Sequence, residues 1–316
     1  SRGKVLYHEK ESRMKDFKEY LNVRWISKYC WFLGLMIVSF MIGGLSATEA
    51  GPKQTVMVKT TPTQKPSLLS AFFGLDDSLP FIANLLCLGA WDKDGIPVVF
   101  SHTVNPDSLQ TEDFQVLTRG GGVATPLCVT LRPASDVGET RTVLLIGEFG
   151  NAVSDPPVIV RIVGDLFSDG AVGRPVNFSG SETVVTPLNA GPALVFAEVI
   201  PRSIWSQSSP STDCPQKSKQ VLRVTWAGGV RLPDGEEPGD TERKLYRITL
   251  RYPDGLKEDV VPFALGDLAD RDNNHQLCLD SQIPAFAVSF PSGHLVDPNG
   301  DFNPDTWVRV VDVSDL

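Results

Sequence analysis

The sequence is poor in the residues that usually build catalytic and metal centres. Among 316 residues there are four histidines, five cysteines and four methionines. No H-E-x-x-H stands ready to hold zinc, and no serine occupies a G-x-S-x-G elbow. Neither a C-x-x-C nor a pair of closely spaced histidines is present, so zinc spacing is missing too. RGGG at 119–122 lies between two strand-like runs with no helix after it, and reads as a hairpin instead of a phosphate loop. Basic charge is short overall, with a net charge of -9. An acidic body repels phosphate backbones, which argues against nucleic-acid binding.

Glycine and proline are plentiful, at 27 and 24, and 16 phenylalanines and six tryptophans stand among many β-branched residues. Turn formers mixed with strand formers point to an all-β fold, and the length suits two domains. After the hydrophobic run described next, no long amphipathic helix is evident.

Charge is unevenly spread. Residues 1–28 hold eight basic and four acidic side chains, leaving -13 on the remainder. They precede YCWFLGLMIVSFMIGGL, an uncharged run from Tyr29 to Leu45 that with Ser46 and Ala47 is long enough to cross a bilayer as a helix. Basic residues before it place the N-terminus in the cytoplasm. One reading is a cleaved signal peptide beginning at Met14, with Gly44, Ser46, Ala47 and Ala50 near the cut. The other is a retained signal anchor, favoured because the run exceeds a usual signal core. Either way the body is exported, to the periplasm or the cell surface of a bacterium, and the anchor reading makes this a single-pass inner-membrane protein.

GPKQTVMVKTTPTQKPS at 51–67 reads as an extended tether, and LLSAFFGLDD at 68–77 as a short helix packing on the body or membrane. ANLLCLG and IPVVFSHTV then read as strands either side of a DKDG turn, followed by DFQVLTR, PLCVTLR, RTVLLIGEF and PVIVRIVGDL. In the second half VLRVTW and YRITLRY alternate with period two, one face packed and one wet. The expected organisation is a cytoplasmic segment 1–28, a transmembrane helix 29–47, a tether and short packing segment 48–77, and β-sandwiches at 78–168 and 169–316. Their boundary falls in Gly164–Pro175.

FSHTVNPDSLQTEDFQVLT, with CVTLRPA and TRTVLLIGEF, resembles the bacterial immunoglobulin-like domains of surface proteins over about residues 80–165. The resemblance implies an immunoglobulin-like sandwich with a spacing or adhesive role, and brings no catalytic residues with it.

Cys30 lies within the apolar run, leaving Cys87, Cys128, Cys214 and Cys278 in the exported body. In an oxidising compartment an even number suggests two disulfides. Three pairings exist; Cys87–Cys128 and Cys214–Cys278 are expected, since each domain can close its own bond. Four buried thiols are the alternative.

HLVDPNGDFNPDTWV places Asp297, Asn299, Asp301, Asn303 and Asp305 at every second position. Alternating Asp and Asn in a tight loop suits a structural calcium ion, which takes six to eight oxygen ligands. The stretch departs from the helix-loop-helix calcium loop, because Val308 stands where a bidentate Glu belongs. GDLADRDNNH offers a second oxygen-rich set: Asp267, Asp270, Asp272, Asn273 and Asn274. Both stretches also fit ordinary turns, where Asx side chains bond nearby backbone. His102, His275 and His294 read as surface or structural residues, and no cofactor is expected beyond calcium.

Three functions follow. The first is a non-enzymatic accessory or structural subunit of a respiratory, photosynthetic or envelope membrane complex, partnered by other membrane-protein subunits. The alternative is a free-standing binding or adhesion module at the cell surface. An extracellular metal-dependent hydrolase is the third, disfavoured because no nucleophile stands with its base.

Overall fold

A computed structural model describes residues 65–312, apart from 135–137, 171–173, 206–212 and 269. The expected cytoplasmic segment 1–28, the expected span at 29–47 with Cys30, and residues 48–64 lie outside these residues. No helix among the described residues is long and apolar enough to cross a membrane.

The described chain is almost entirely β. Strands β1 (Leu68–Phe72), β2 (Asp94–Phe100), β3 (Phe114–Thr118), β4 (Val123–Ala124), β5 (Cys128–Thr130), β6 (Thr142–Gly147), β7 (Pro157–Ile162) and β8 (Glu182–Thr186) make one eight-stranded sheet. Its order is β4-β3-β7-β8-β1-β2-β6-β5. Strands β9 (Leu194–Val199), β10 (Gln220–Trp226), β11 (Arg247–Arg251), β12 (Lys257–Val260), β13 (Ala264–Gly266), β14 (Asn274–Leu279), β15 (Ala285–Phe290) and β16 (Thr306–Asp312) make another. Its order, β12-β11-β15-β16-β9-β10-β14-β13, repeats the first position for position.

The seam is the same in both sheets. The first strand pairs antiparallel with the second and parallel with the eighth: β1 with β2 and β8, β9 with β10 and β16. Each sheet doubles over at this seam. In the first, Val116 and Val160 from one end share a core with Val98, Phe100, Val143 and Leu145 from the other. In the second, Ile248 and Val288 meet Leu222, Val224, Trp226 and Leu277. Both sheets lie within one compact unit.

The strand β11 follows its sequence pattern, with Ile248 and Leu250 buried and Arg247 and Arg251 exposed. VLRVTW differs: all seven residues of β10 are buried, Arg223 and Thr225 included. The reason is that the outer face of β10 is covered by the first half of the chain. Asn273 Nδ2 donates to Thr142 Oγ1 at 3.1 Å, and a Cβ on Gly228 would stand 2.8 Å from the Phe72 ring.

Two segments depart from expectation. Leu68–Phe72 is a strand, not a helix; bonded on both edges and buried along most of its length, it shows no alternation. ANLLCLG is no strand, for a 3-10 helix at Phe81–Leu85 leads into turns, with Leu85 and Leu88 facing solvent. The passage between sheets also lies elsewhere. Because β8 belongs to the first sheet, the crossing falls at 187–193, whereas Gly164–Pro175 lies between β7 and β8, both of the first sheet. Gly164 lies there because a Cβ would meet the Asp113 carboxylate at 1.9 Å.

Candidate functional site

The covered face of the second sheet carries a charged row. Arg223 on β10 lies opposite Glu198 on β9 and Gln276 on β14, and Gln276 lies opposite Gly266 on β13. Alternation turns these side chains away from their own core and toward the first half of the chain. From that side come Gly138, Glu139 and Arg141, in the turn leading into β6.

Glu198 sits between two guanidinium groups. Arg141 Nη2 donates to Glu198 Oε2 at 3.1 Å, and Arg223 Nη1 lies 3.4 Å from Oε1. Arg141 also donates to Phe100 O at 3.1 Å and stacks 3.9 Å over the Phe196 ring; Arg223 Nη1 donates to Gly138 O at 2.6 Å. Every member of this group is nearly inaccessible to water. Breaking such a pair from one side typically costs about 3–5 kcal/mol, since a charge is left stranded.

Beyond the arginines lies an acidic cluster. Glu139, Asp270 and Asp272 bring carboxylate oxygens within 4.8 Å of one another. Arg223 Nε lies 3.4 Å from Glu139 Oε1. Asp272 is oriented by Asn274, whose backbone N donates to Oδ1 at 2.6 Å and whose Nδ2 donates to Oδ2 at 2.9 Å. Asp267 is buried beside them, and both Asp267 (φ 64) and Arg271 (φ 60) take the left-handed backbone that non-glycine residues rarely adopt. Burial, then the charge of Asp267, pushes Glu139 up to about 11. Burial, then Asp272 and Asp267, pushes Asp270 to about 8; burial pushes Asp272 to about 7 against its bonds from Asn274. Glu139, Asp267, Asp270 and Asp272 thus crowd together beside Arg223, and carboxylates buried so close to one another favour sharing protons or a cation.

Asp272 and Asn273 also line a cleft of about 170 Å³ between the two halves, walled by Phe72, Pro97, Leu131 and Gly228.

The alternating stretch 297–305 is arranged differently. Asp297 is fully buried, and its Oδ1 accepts from the backbone of Asn299 and Asp301, both at 2.9 Å. Asn299 Nδ2 donates to Gly74 O at 2.7 Å, tying this loop to the first half. Asn303 Oδ1 accepts from His294 N and Leu295 N, and Asp305 Oδ1 accepts from Ser292 N. These side chains fasten backbone, and Asp297, Asp301 and Asp305 are not among the carboxylate trios that converge. Of the second stretch, Asp270 and Asp272 do converge, with Glu139 as the member sequence reasoning missed. A second trio, Asp76, Asp77 and Asp94, anchors loops: Asp94 accepts from Asp77 N at 2.9 Å and Phe149 N at 2.6 Å.

Cys214 and Cys278 are joined, with Cα atoms 5.6 Å apart. The other expected bond is not formed: Cys87 and Cys128 are free thiols. They pack as small apolar groups with Leu79, Ala83 and Ile146, and burial, then contact with Cys87, pushes Cys128 up to about 12.

His102 is buried against Ser101 Oγ at 3.0 Å. His275 belongs to a polar chain inside the second core. Trp226 Nε1 donates to Tyr246 Oη at 3.3 Å, and Tyr246 Oη lies 2.8 Å from His275 Nδ1. Indole can only donate, so the phenol hydrogen points at Nδ1, which is the unprotonated nitrogen. Burial accordingly lowers the His275 imidazole to about 4.

One surface is apolar. Phe81 (60% exposed), Leu85 (77%), Leu86, Leu88 (90%) and Trp91 (56%) crowd the segment between β1 and β2. The Phe81 and Trp91 rings meet edge-on at 5.9 Å, and Leu127 lies beside Gly89. Charges of both signs lie in the same stretch: Asp77 is near Asp92, Glu148 and Lys93, and Lys93 pairs with Glu148.

No protein-family model matches the chain, and no curated protein matches it by sequence.

Proposed function

We propose that this chain is a non-catalytic accessory subunit of a membrane complex. In this reading residues 65–312 are two immunoglobulin-like sandwiches, exported on a single inner-membrane anchor. The doubled sheets and their common strand order support the sandwich reading, and the Cys214–Cys278 bond supports an oxidising compartment. The observation that carries the role is the patch of Phe81, Leu85, Leu86, Leu88 and Trp91. Large exposed apolar side chains gathered in one place mark an interaction surface. It suits a partner subunit whose exported face is apolar at its centre.

The test is gentle detergent extraction from the native membrane and mass spectrometry of what co-purifies, with wild type beside a Leu88→Asp/Trp91→Asp variant. Both side chains face solvent, so the variant folds with an unchanged circular dichroism spectrum and melting temperature. Defined membrane subunits recovered with wild type and lost from the variant support the proposal. Recovery of the wild-type chain alone, or of the same proteins with both, refutes it.

A further inference from the structure

We propose that Glu139, Asp270 and Asp272 form a divalent-cation site, matched to Ca²⁺, that braces the two sheets against each other. Ca²⁺ binds oxygen at about 2.3–2.6 Å, so two ligands on opposite sides of the ion stand about 5 Å apart. Three carboxylate oxygens within 4.8 Å of one another are therefore close enough to share one ion. The donors come from separate turns, one entering β6 and one entering β14, so an ion there bonds both halves of the chain. Carboxylates from two irregular turns suit Ca²⁺, which accepts uneven coordination, better than Mg²⁺, which demands near-octahedral geometry and keeps its waters.

Buried oxygens without hydrogen-bond donors also point to a missing ligand. The Glu139 side chain is 1% exposed, and its oxygens accept no hydrogen bond, although Arg223 Nε stands 3.4 Å from Oε1 as an ion pair. Gln276 Oε1, next to Arg223 in the charged row and equally inaccessible, also accepts none. Buried acceptors without donors are rare, and each needs an explanation. A cation held by the Glu139 carboxylate supplies its oxygens with the partner they lack. Asp272 lines the cleft between the halves, giving an ion and its remaining water ligands a route in from solvent.

This inference does not depend on the role proposed above. The experiment is calcium binding by the purified full-length chain after EDTA treatment and dialysis, followed by isothermal titration calorimetry and thermal melting. Wild type is expected to bind one Ca²⁺ per chain. At calcium about a hundred-fold above the dissociation constant, the melting temperature rises by about 5–10 °C over EDTA. Glu139→Gln and Asp270→Asn each lose the ion. Asp270 sits at the cluster's rim and its Oδ1 acceptor survives in Asn, so this variant carries the test should Glu139→Gln not fold. Asp301→Asn, in the 297–305 loop, keeps the ion. Absence of calcium binding by wild type overturns the proposal in favour of shared protons. Retention by Asp270→Asn, or loss by Asp301→Asn alone, overturns the location.

Discussion

Replacing Tyr246 by phenylalanine removes one oxygen atom from the middle of the Trp226–Tyr246–His275 chain. The ring itself is retained, so its packing against Phe290 at a 4.7 Å centroid distance continues. What is lost is two hydrogen bonds, at 3.3 Å and 2.8 Å, in a place water does not reach. An ordinary hydrogen bond contributes about 1 kcal/mol, whereas a buried group left without its partner costs about 1–3 kcal/mol. The variant strands both the indole N–H and the imidazole Nδ1, so the expected loss is about 2–4 kcal/mol. For a body of this size that corresponds to a fall in melting temperature on the order of 10 °C. Urea unfolding followed by circular dichroism measures it, with the m-value unchanged if only stability is altered. His275→Leu alone and combined with Tyr246→Phe completes a double-mutant cycle, in which the pair should fall short of the sum by about 1 kcal/mol or more. A Tyr246→Phe loss under about 0.5 kcal/mol would show that the chain is not bonded in this way.

Three further outcomes follow from the same geometry. His275 should remain neutral down to about pH 5, since its folded value is about 4 against 6.5 for free histidine. Between those values the unfolded chain binds the proton more readily, so acidification through that window weakens this contribution by about 3 kcal/mol; NMR titration of the imidazole checks it, and a midpoint near 6.5 refutes it. Cys278→Ser opens a bond spanning 64 residues and should cost about 4 kcal/mol on chain-entropy grounds, read as a lower urea midpoint that reductant does not lower further. Gly191→Ala should destabilise by about 3 kcal/mol or reduce soluble yield, because its Cβ would fall 1.8 Å from the Phe302 carbonyl oxygen; a midpoint equal to wild type contradicts that approach.

Strands buried on one face were legible in the sequence. The alternation of YRITLRY is a local property, and β11 has the faces it announces. Strands buried on both faces were not. Leu68–Phe72 and Gln220–Trp226 lost their pattern, or had half of it assigned to water, because what covers them is remote in the chain. The acidic cluster shows the same limit. Asp270 and Asp272 stood out as an oxygen-rich stretch, but Glu139 lies in an unremarkable turn more than a hundred residues earlier. The stretch with the most regular spacing, 297–305, spends its side chains on its own turns and on Gly74, which is how Asx residues ordinarily behave.

The seam strand has a mechanical consequence. The chain enters the first sheet through β1, which is bonded in parallel to β8, the strand by which it leaves that sheet. Parallel strands have their starting ends side by side, so tension that draws β1 backward and β8 forward slides one along the other. Their cross-links are then loaded together and do not peel apart singly. The same arrangement joins β9 to β16, so a pull along the chain meets two such clasps in series.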